Sequence, residues 1–245
     1  MLGAAARPVG MTSHNKTKIF QRMTTAVEAR GIGKTVLSGE TELTILQDLD
    51  LAVASGETVA ILGRSGAGKT TLLSLLAGLD QPSQGTVHLD GQTLSTMDEE
   101  ERAALRAGRV GFVFQSFQLL DGFDALENVR LSAELAGVPR PREAAEQALT
   151  QVGLGGRMAH QPHQLSGGEC QRVAIARAFA GAPRILFADE PTGNLDGETG
   201  AQIIDLLFSL NAERQTTLIL VTHDVELAAR CQRQLVLADG RLAPR

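Results

Sequence analysis

The chain of 245 residues holds no tryptophan and no tyrosine, so its eight phenylalanines are its only aromatic side chains. It has two cysteines, Cys170 and Cys231, too few for a disulfide framework. Both fall in segments that read as helices, and buried, reduced thiols of a cytosolic protein are the expectation. No apolar stretch approaches the roughly 18 residues that span a bilayer, so any service to a membrane goes through a partner. No Lys/Arg-rich run stands out against a net charge of -5, which argues against a nucleic-acid partner. The first 22 residues contain Arg7, Lys16, Lys18 and Arg22 and no acid. They lack the apolar run of about 7–15 residues that a secretory signal needs. They read as a disordered extension over 1–26, or as sequence upstream of a start at Met11 or Met23; composition alone leaves a transit peptide open. There is no internal repeat and no low-complexity linker.

The chain as a whole is 43% hydrophobic and 21% charged, which is enough apolar material for a sizeable core. Residues 26–36 and 42–54 alternate loosely between apolar and polar and read as strands, with a hairpin turn around Glu40. Residues 58–62 are a short apolar strand, and a helix with leucines on successive turns follows from Lys69 to Ala77. Further strands are expected at 86–90, 110–115, 184–188 and 217–222, with helices at 98–106, 198–211 and 224–232. Thr96 and Glu99 have the spacing of a capping box for the helix at 98. Residues 234–242 read as a hairpin around Asp239 and Gly240. Apolar strands alternating with helices predict a mostly parallel sheet covered on both faces. The helical stretch of about 116–180, broken at 137–141 and 153–156, is too long for one crossover. It reads as a helical subdomain inserted into an α/β domain of residues 27–245.

Gly63, Arg64, Ser65, Gly66, Ala67, Gly68, Lys69 and Thr70 fit G-x-x-x-x-G-K-[ST] without a mismatch. A polyphosphate has to be wrapped by backbone N–H groups, and side chains obstruct that approach. Glycines permit the tight loop, and the following helix turns its unpaired N–H groups and positive end toward the anion. Lys69 is expected to bridge the β- and γ-phosphates, with the Thr70 hydroxyl on Mg²⁺. The motif follows an apolar strand and opens a helix, the setting that it requires. It does not choose among P-loop classes. A GTPase needs Asn-Lys-x-Asp, and the one Asn-Lys pair, Asn15 and Lys16, lies upstream of the loop.

Leu165, Ser166, Gly167, Gly168 and Glu169 decide the class. With this LSGGE segment the chain resembles the ABC (ATP-binding cassette) ATPase family. The companions of that signature occur in the family's order. Gln115 stands where the Q-loop glutamine does, and the strand of Ile185, Leu186, Phe187 and Ala188 ends in Asp189 and Glu190. Gly193, Asn194, Leu195 and Asp196 match the D-loop, and His223 follows the next strand as in the H-loop. The likeness covers residues 27–245. It implies a P-loop NTPase (RecA-like) α/β core with an N-terminal antiparallel β subdomain and an inserted helical subdomain. It also implies ATP hydrolysis with Mg²⁺. In that case residues 63–71, Thr71 included, and Val36 bind ATP, while Thr70, Gln115 and Asp189 hold the metal directly or through water. Glu190 orients the attacking water, His223 steadies the γ-phosphate, and Gln115 links the site to a membrane partner. Ser166, Gly167, Gly168 and Glu169 complete the site of a second copy in a head-to-tail dimer.

The run from Asp189 to Asp196, with Gly78–Gly85 and Leu126–Val129, resembles the lipoprotein-releasing, macrolide-export and cell-division subgroup. Residues 97–100, 111–117, 206–211 and 228–231 narrow the likeness to one branch of it. The subgroup implies a separately encoded integral-membrane permease with a periplasmic domain, and a place at the cytoplasmic face of the inner membrane. Two departures stand out. Val36 occupies the position where relatives carry an adenine-stacking aromatic, and Cys170 follows the signature where Gln or Arg is usual. A chromosome-maintenance ATPase needs long coiled coils between Lys69 and Asp189, and no sustained heptads are present. A translation factor of this family needs two cassettes, and this chain has one. A non-catalytic cassette requires the loss of key residues, yet Glu190 and His223 are both present.

Overall fold

The computed structural model describes residues 24–39 and 41–245. Most of the N-terminal segment expected as an extension, and Glu40 of the expected turn, lie outside the described residues. The first two strands, β1 (Thr25–Ser38) and β2 (Thr41–Ala54), form a long antiparallel hairpin. With β4 (Gln84–Leu89) and β5 (Gln92–Thr93) they make a sheet in the order β2-β1-β4-β5. β1 already includes Thr25 and the buried Ala26.

The second sheet is built from β3 (Thr58–Leu62), β6 (Val110–Val113), β7 (Ile185–Asp189), β8 (Thr217–Thr222), β9 (Arg233–Ala238) and β10 (Arg241–Pro244). Its order is β10-β9-β3-β8-β7-β6. β9, β3, β8, β7 and β6 run parallel, and β10 closes the edge antiparallel to β9. Every residue of β7 and β8 is buried. Strands covered on both faces have no polar side, which is why they read as apolar runs rather than alternations.

Period-two geometry divides these strands between two cores. Ala60, Leu62, Leu186, Ala188, Leu218 and Leu220 face the core under the helices. Val59, Ile61, Ile185, Phe187, Ile219 and Val221 face the core closed by α1 (Lys69–Leu76) and the antiparallel sheet. Between β6 and β7 stand α3 (Ala125–Leu135), α4 (Pro141–Gln151) and α5 (Gly167–Ala180), packed on one another. The last long helix, α6 (Gly197–Arg214), lies between β7 and β8, and the short α7 (Val225–Ala228) between β8 and β9.

Local chemistry corrects three sequence expectations. α2 (Glu99–Arg106) is capped by Asp98 and Glu101, whose side chains satisfy each other's backbone N–H. Thr96 instead donates to the carbonyl of Thr93 in a preceding 3₁₀ turn. β6 stops at Val113, so Gln115 stands in a turn beyond the strand. α7 ends at Ala228, so Cys231 lies past it, not in a helix. Both cysteines are free and buried. Burial pushes the Cys231 thiol up to about 12 and that of Cys170 up as well. The Cys170 thiol lies 3.5 Å from the carbonyl of Pro162, under the loop that leads into α5.

Candidate functional site: the carboxyl edge of the parallel sheet

Because β3, β8 and β7 are parallel neighbours, their carboxyl ends deliver three loops to one edge. The register pairs Leu62 with Thr222 and Asp189 with Val221. Gly63, His223 and Glu190 therefore leave the sheet side by side, and the Gly63 N–H bonds the carbonyl of Thr222 at 3.3 Å. This is the edge at which open α/β sheets take ligands. β6 follows β7 in the order, so Gln115 reaches the same edge from the far side of Asp189.

The phosphate loop ends at Gly68, which caps α1 with φ 92 in the left-handed region. A Cβ there would be strained by that φ and would stand 2.9 Å from the Ile45 side chain, so the helix start can lie against β2 only with glycine. Ser65 and Gly66 are exposed, while Lys69 turns inward with its side chain 8% exposed. Its Nζ donates to the carbonyls of Gly63 at 2.9 Å and Arg64 at 3.2 Å, and lies 3.2 Å from Glu190 Oε1. The ammonium thus sits at the mouth of the loop, held by the loop's own backbone and by one carboxylate.

Thr70 Oγ1 donates to Asp189 Oδ2 at 2.8 Å. Burial raises the Asp189 pKa and the neighbouring Glu190 charge adds to this, opposed by the Thr70 hydrogen bond and by Lys69. Glu190 sits at φ 44, a left-handed conformation that is uncommon for a non-glycine residue. Its Oε2 accepts from the Thr222 hydroxyl at 3.2 Å and lies 2.9 Å from His223 Nδ1. The imidazole itself is 68% exposed, so it stands at the rim. Lys69, Thr70, Asp189, Glu190 and His223 therefore form one connected cluster.

A hard-oxygen pair, Thr70 hydroxyl and Asp189 carboxylate, suits Mg²⁺, which is held by few protein ligands together with phosphate oxygens. Among the described residues no group of three or more His, Cys, Asp and Glu is clustered into an all-protein cage. Gln115 joins differently. Its Nε2 faces Asn194 Oδ1 at 3.4 Å, and Asn194 Nδ2 donates back to the Gln115 carbonyl at 2.9 Å. Its amide lies flat on Gly193, where a Cβ would be 2.6 Å from Nε2. Gln115 makes no hydrogen bond to Thr70 or Asp189.

Beside the phosphate loop lies a hollow of about 550 Å³ lined by Leu43, Ile45, Arg64, Leu237 and the Asp239–Gly240 turn, among others. Val36 does not line it, but the register sets Val36 opposite Leu43, which does. Directly paired antiparallel residues share a face. Aliphatic side chains of β2, which carry no motif, are what the residue patterns did not flag here.

The signature segment stands apart from this cluster. Ser166 caps α5 in a reciprocal box with Glu169, at 3.3 and 2.9 Å. The Ser166 backbone N–H bond is the main cause that holds the Glu169 carboxyl below the usual range. Ser166 and Gly167 are exposed. Among the described residues, no hydrogen bond or ion pair links residues 166–169 to the phosphate loop of the same chain.

Comparison with known proteins agrees with this geometry. Residues 46–193 match the family model described as ABC transporter. The chain is 59% identical over 218 residues to the uncharacterized ABC transporter ATP-binding protein YbbA of Escherichia coli (strain K12), covering 88% of this chain and 96% of the relative. It is 48% identical to the lipoprotein-releasing system ATP-binding protein LolD of Xanthomonas campestris pv. campestris (strain 8004), covering 88% and 91%. Among solved structures it is similar to the dimeric post-hydrolysis state of the ATP-binding cassette MJ0796 bound to ADP and Pi. That match has a TM-score of 0.82 and 38% identity, and covers 89% of this chain and 98% of that one.

Proposed function

The chain belongs to the ABC transporter ATP-binding family and is an ATPase, and on that premise we propose how its residues divide the work. The carrying observation is the cluster of Lys69, Thr70, Asp189, Glu190 and His223 on three adjacent parallel strands. Residues 63–71 wrap the phosphates with backbone N–H groups, and the Lys69 ammonium balances the β/γ charge. The base lies in the hollow beside Leu43 and Val36. Thr70, Asp189 and Gln115 would hold Mg²⁺, which when bound neutralises phosphate charge. Glu190, steadied by Thr222, accepts a hydrogen bond from the attacking water and aims it. His223, at the rim, contacts the γ-phosphate as charge moves to it. Little covalent work is left to the protein, so positioning and charge complementarity carry the rate.

The exposed signature residues 166–169 belong to the site of a second copy arranged head to tail. That assignment is supported by their distance in bonding from their own phosphate loop and by the dimeric state of the similar MJ0796 cassette. Residues 116–180 form the helical arm, within a domain of residues 27–245 that β1 extends back to Thr25. No helix among the described residues is long and apolar enough to cross a membrane. On this reading the output passes to a separately encoded integral-membrane permease with a periplasmic domain, from the cytoplasmic face of the inner membrane. The likeness to LolD supports a lipoprotein-release or export type of permease.

The test is Glu190→Gln in the full chain with ATP and Mg²⁺. It is expected to bind ATP, to hydrolyse it far more slowly than the wild type, and to elute as a dimer that nucleotide holds together by mass action. Turnover equal to that of the wild type removes Glu190 from its role. A monomer at saturating ATP removes the in-trans assignment of Ser166.

A further inference from the structure

The signature helix is tied to its own chain's site at two points that no motif marks. Gln171 is fully buried, at 0% exposure. Its Nε2 donates to the carbonyl of Pro191 at 2.6 Å, and its Oε1 is buried without a hydrogen-bond partner. A buried amide used at only one end is costly, so what that end holds matters. It holds the residue after Glu190, whose φ of 44 is uncommon for a side chain with a Cβ. Such conformations persist only where surrounding groups over-determine them. The turn is also restrained by backbone bonds from the Glu190 N–H to the carbonyl of Val221 at 3.0 Å and from the Gly193 N–H to the carbonyl of Glu190 at 2.9 Å.

Further along the same helix Arg177 repeats the arrangement. Its guanidinium donates to the carbonyls of Phe117, at 2.8 Å, and Gln118. Those two consecutive residues have φ 59 and 50, and they follow closely on Gln115. Burial lowers the Arg177 pKa, so the cation is kept in a dehydrated place where the two carbonyls are its polar company. A planar fork suits two adjacent acceptors in a way that an ammonium does not.

We propose that Gln171 and Arg177 are positioning residues: α5 carries the signature at its N-terminus and, from its interior, fixes the two strained turns that aim Glu190 and Gln115 of the same chain. This rests on the reading of Glu190 as the water-aiming carboxylate and Gln115 as a site residue. One helix of 14 residues then joins the end that meets a second copy's nucleotide to the turns that act on its own. A shift of Ser166 on engagement is passed along a rigid rod to Pro191 and Phe117.

The experiment uses Gln171→Met in the full chain. Affinity for a fluorescent ATP analogue is expected to stay within twofold of wild type. Turnover at saturating ATP, measured well below the melting temperature, is expected to fall roughly tenfold to a hundredfold, the scale of a small misplacement of a reacting group. In a Glu190→Gln background the same change should alter the residual single-turnover rate by less than about twofold, because the turn matters through the carboxylate. A merely structural role lowers the melting temperature and leaves the turnover of the folded protein unchanged. Arg177→Lys, which keeps charge and loses the fork, is read in the same way against Gln115→Ala and serves if Gln171→Met does not fold. Wild-type turnover in both variants, or equal losses with and without the Glu190→Gln or Gln115→Ala partner change, overturns the proposal. Wild-type turnover in Glu190→Gln itself overturns the reading beneath it.

Discussion

Asn128 offers a stability prediction that can be worked bond by bond. It is 2% exposed, on the first turn of α3 after the Asp124 cap. Its Oδ1 accepts from the Leu120 N–H at 2.8 Å. Its Nδ2 is shared among the carbonyls of Leu120, Phe123 and Asp124 at 3.2, 3.2 and 3.0 Å. One side chain therefore organises the loop that joins the turn after Gln115 to the helical arm. Asn128→Leu keeps the γ-branched shape and removes all four bonds. The Leu120 carbonyl retains the Phe123 N–H, and the Asp124 carbonyl retains the Asn128 backbone N–H. The Leu120 N–H and the Phe123 carbonyl are left without their protein partner. Each orphaned buried group costs about 1–3 kcal/mol. The side chains of Leu120 and Phe123 are partly exposed, so water reaches the released groups and the lower half of the range applies. The expected loss is about 3 kcal/mol, or a fall of about 6–12 °C in melting temperature for a chain of this size. Urea unfolding of both proteins reads it as a shifted midpoint with an unchanged slope. A loss below about 1 kcal/mol would refute the reasoning that Asn128 holds this loop.

Asp189 gives a prediction of sign. Its folded pKa is raised chiefly by burial, so its charged form is disfavoured in the fold. A raised acid contributes stability that is gained as pH falls through the folded pKa and lost above it. Asp189→Asn should therefore melt higher than wild type at pH 7 without nucleotide, with the difference shrinking toward acid pH, and should lose turnover; calorimetry across pH checks it. Val36→Tyr adds an aromatic beside Leu43 at the rim of the hollow. Stacking is worth about 1 kcal/mol at its low end, so ATP affinity should rise roughly fivefold with maximal turnover unchanged. Fluorescent-nucleotide titration decides it, and unchanged binding means that residue 36 does not face the base.

The parts of the site legible in the sequence are those whose chemistry is local. The phosphate loop requires closely spaced glycines, here Gly63, Gly66 and Gly68, and a lysine at a helix start, and all stand within a few residues of one another. β7 and β8 are recognisable because burial on both faces leaves an apolar run in each, with Asp189, Thr217 and Thr222 only at the ends. What escaped depends either on a choice between equivalent local spacings or on neighbours remote in sequence. Asp98 outcompetes Thr96 as a cap because its side chain is closed by Glu101, and both spacings look alike on paper. Past Ala228 the chain turns toward β9, and just before that strand Gln232 exchanges bonds with Thr58, so tertiary pairing ends a helix that propensity would extend. Gln171 and Arg177 read as ordinary polar residues of an amphipathic helix; only the fold shows that their partners are backbone carbonyls on turns from distant segments. The hollow beside the phosphate loop draws on β2 and on the β9–β10 turn, which no motif connects.

On the proposed division of work, Lys69 at the mouth of the phosphate loop serves ATP hydrolysis by this chain. The most direct measurement is phosphate release from ATP–Mg²⁺ by the wild type and by Lys69→Ala, with circular dichroism on both samples. A methyl cannot balance the β/γ-phosphate charge. The wild type is expected to hydrolyse ATP, and the Lys69→Ala protein to show the same spectrum and no turnover above background. A folded Lys69→Ala protein that releases phosphate at the wild-type rate contradicts it.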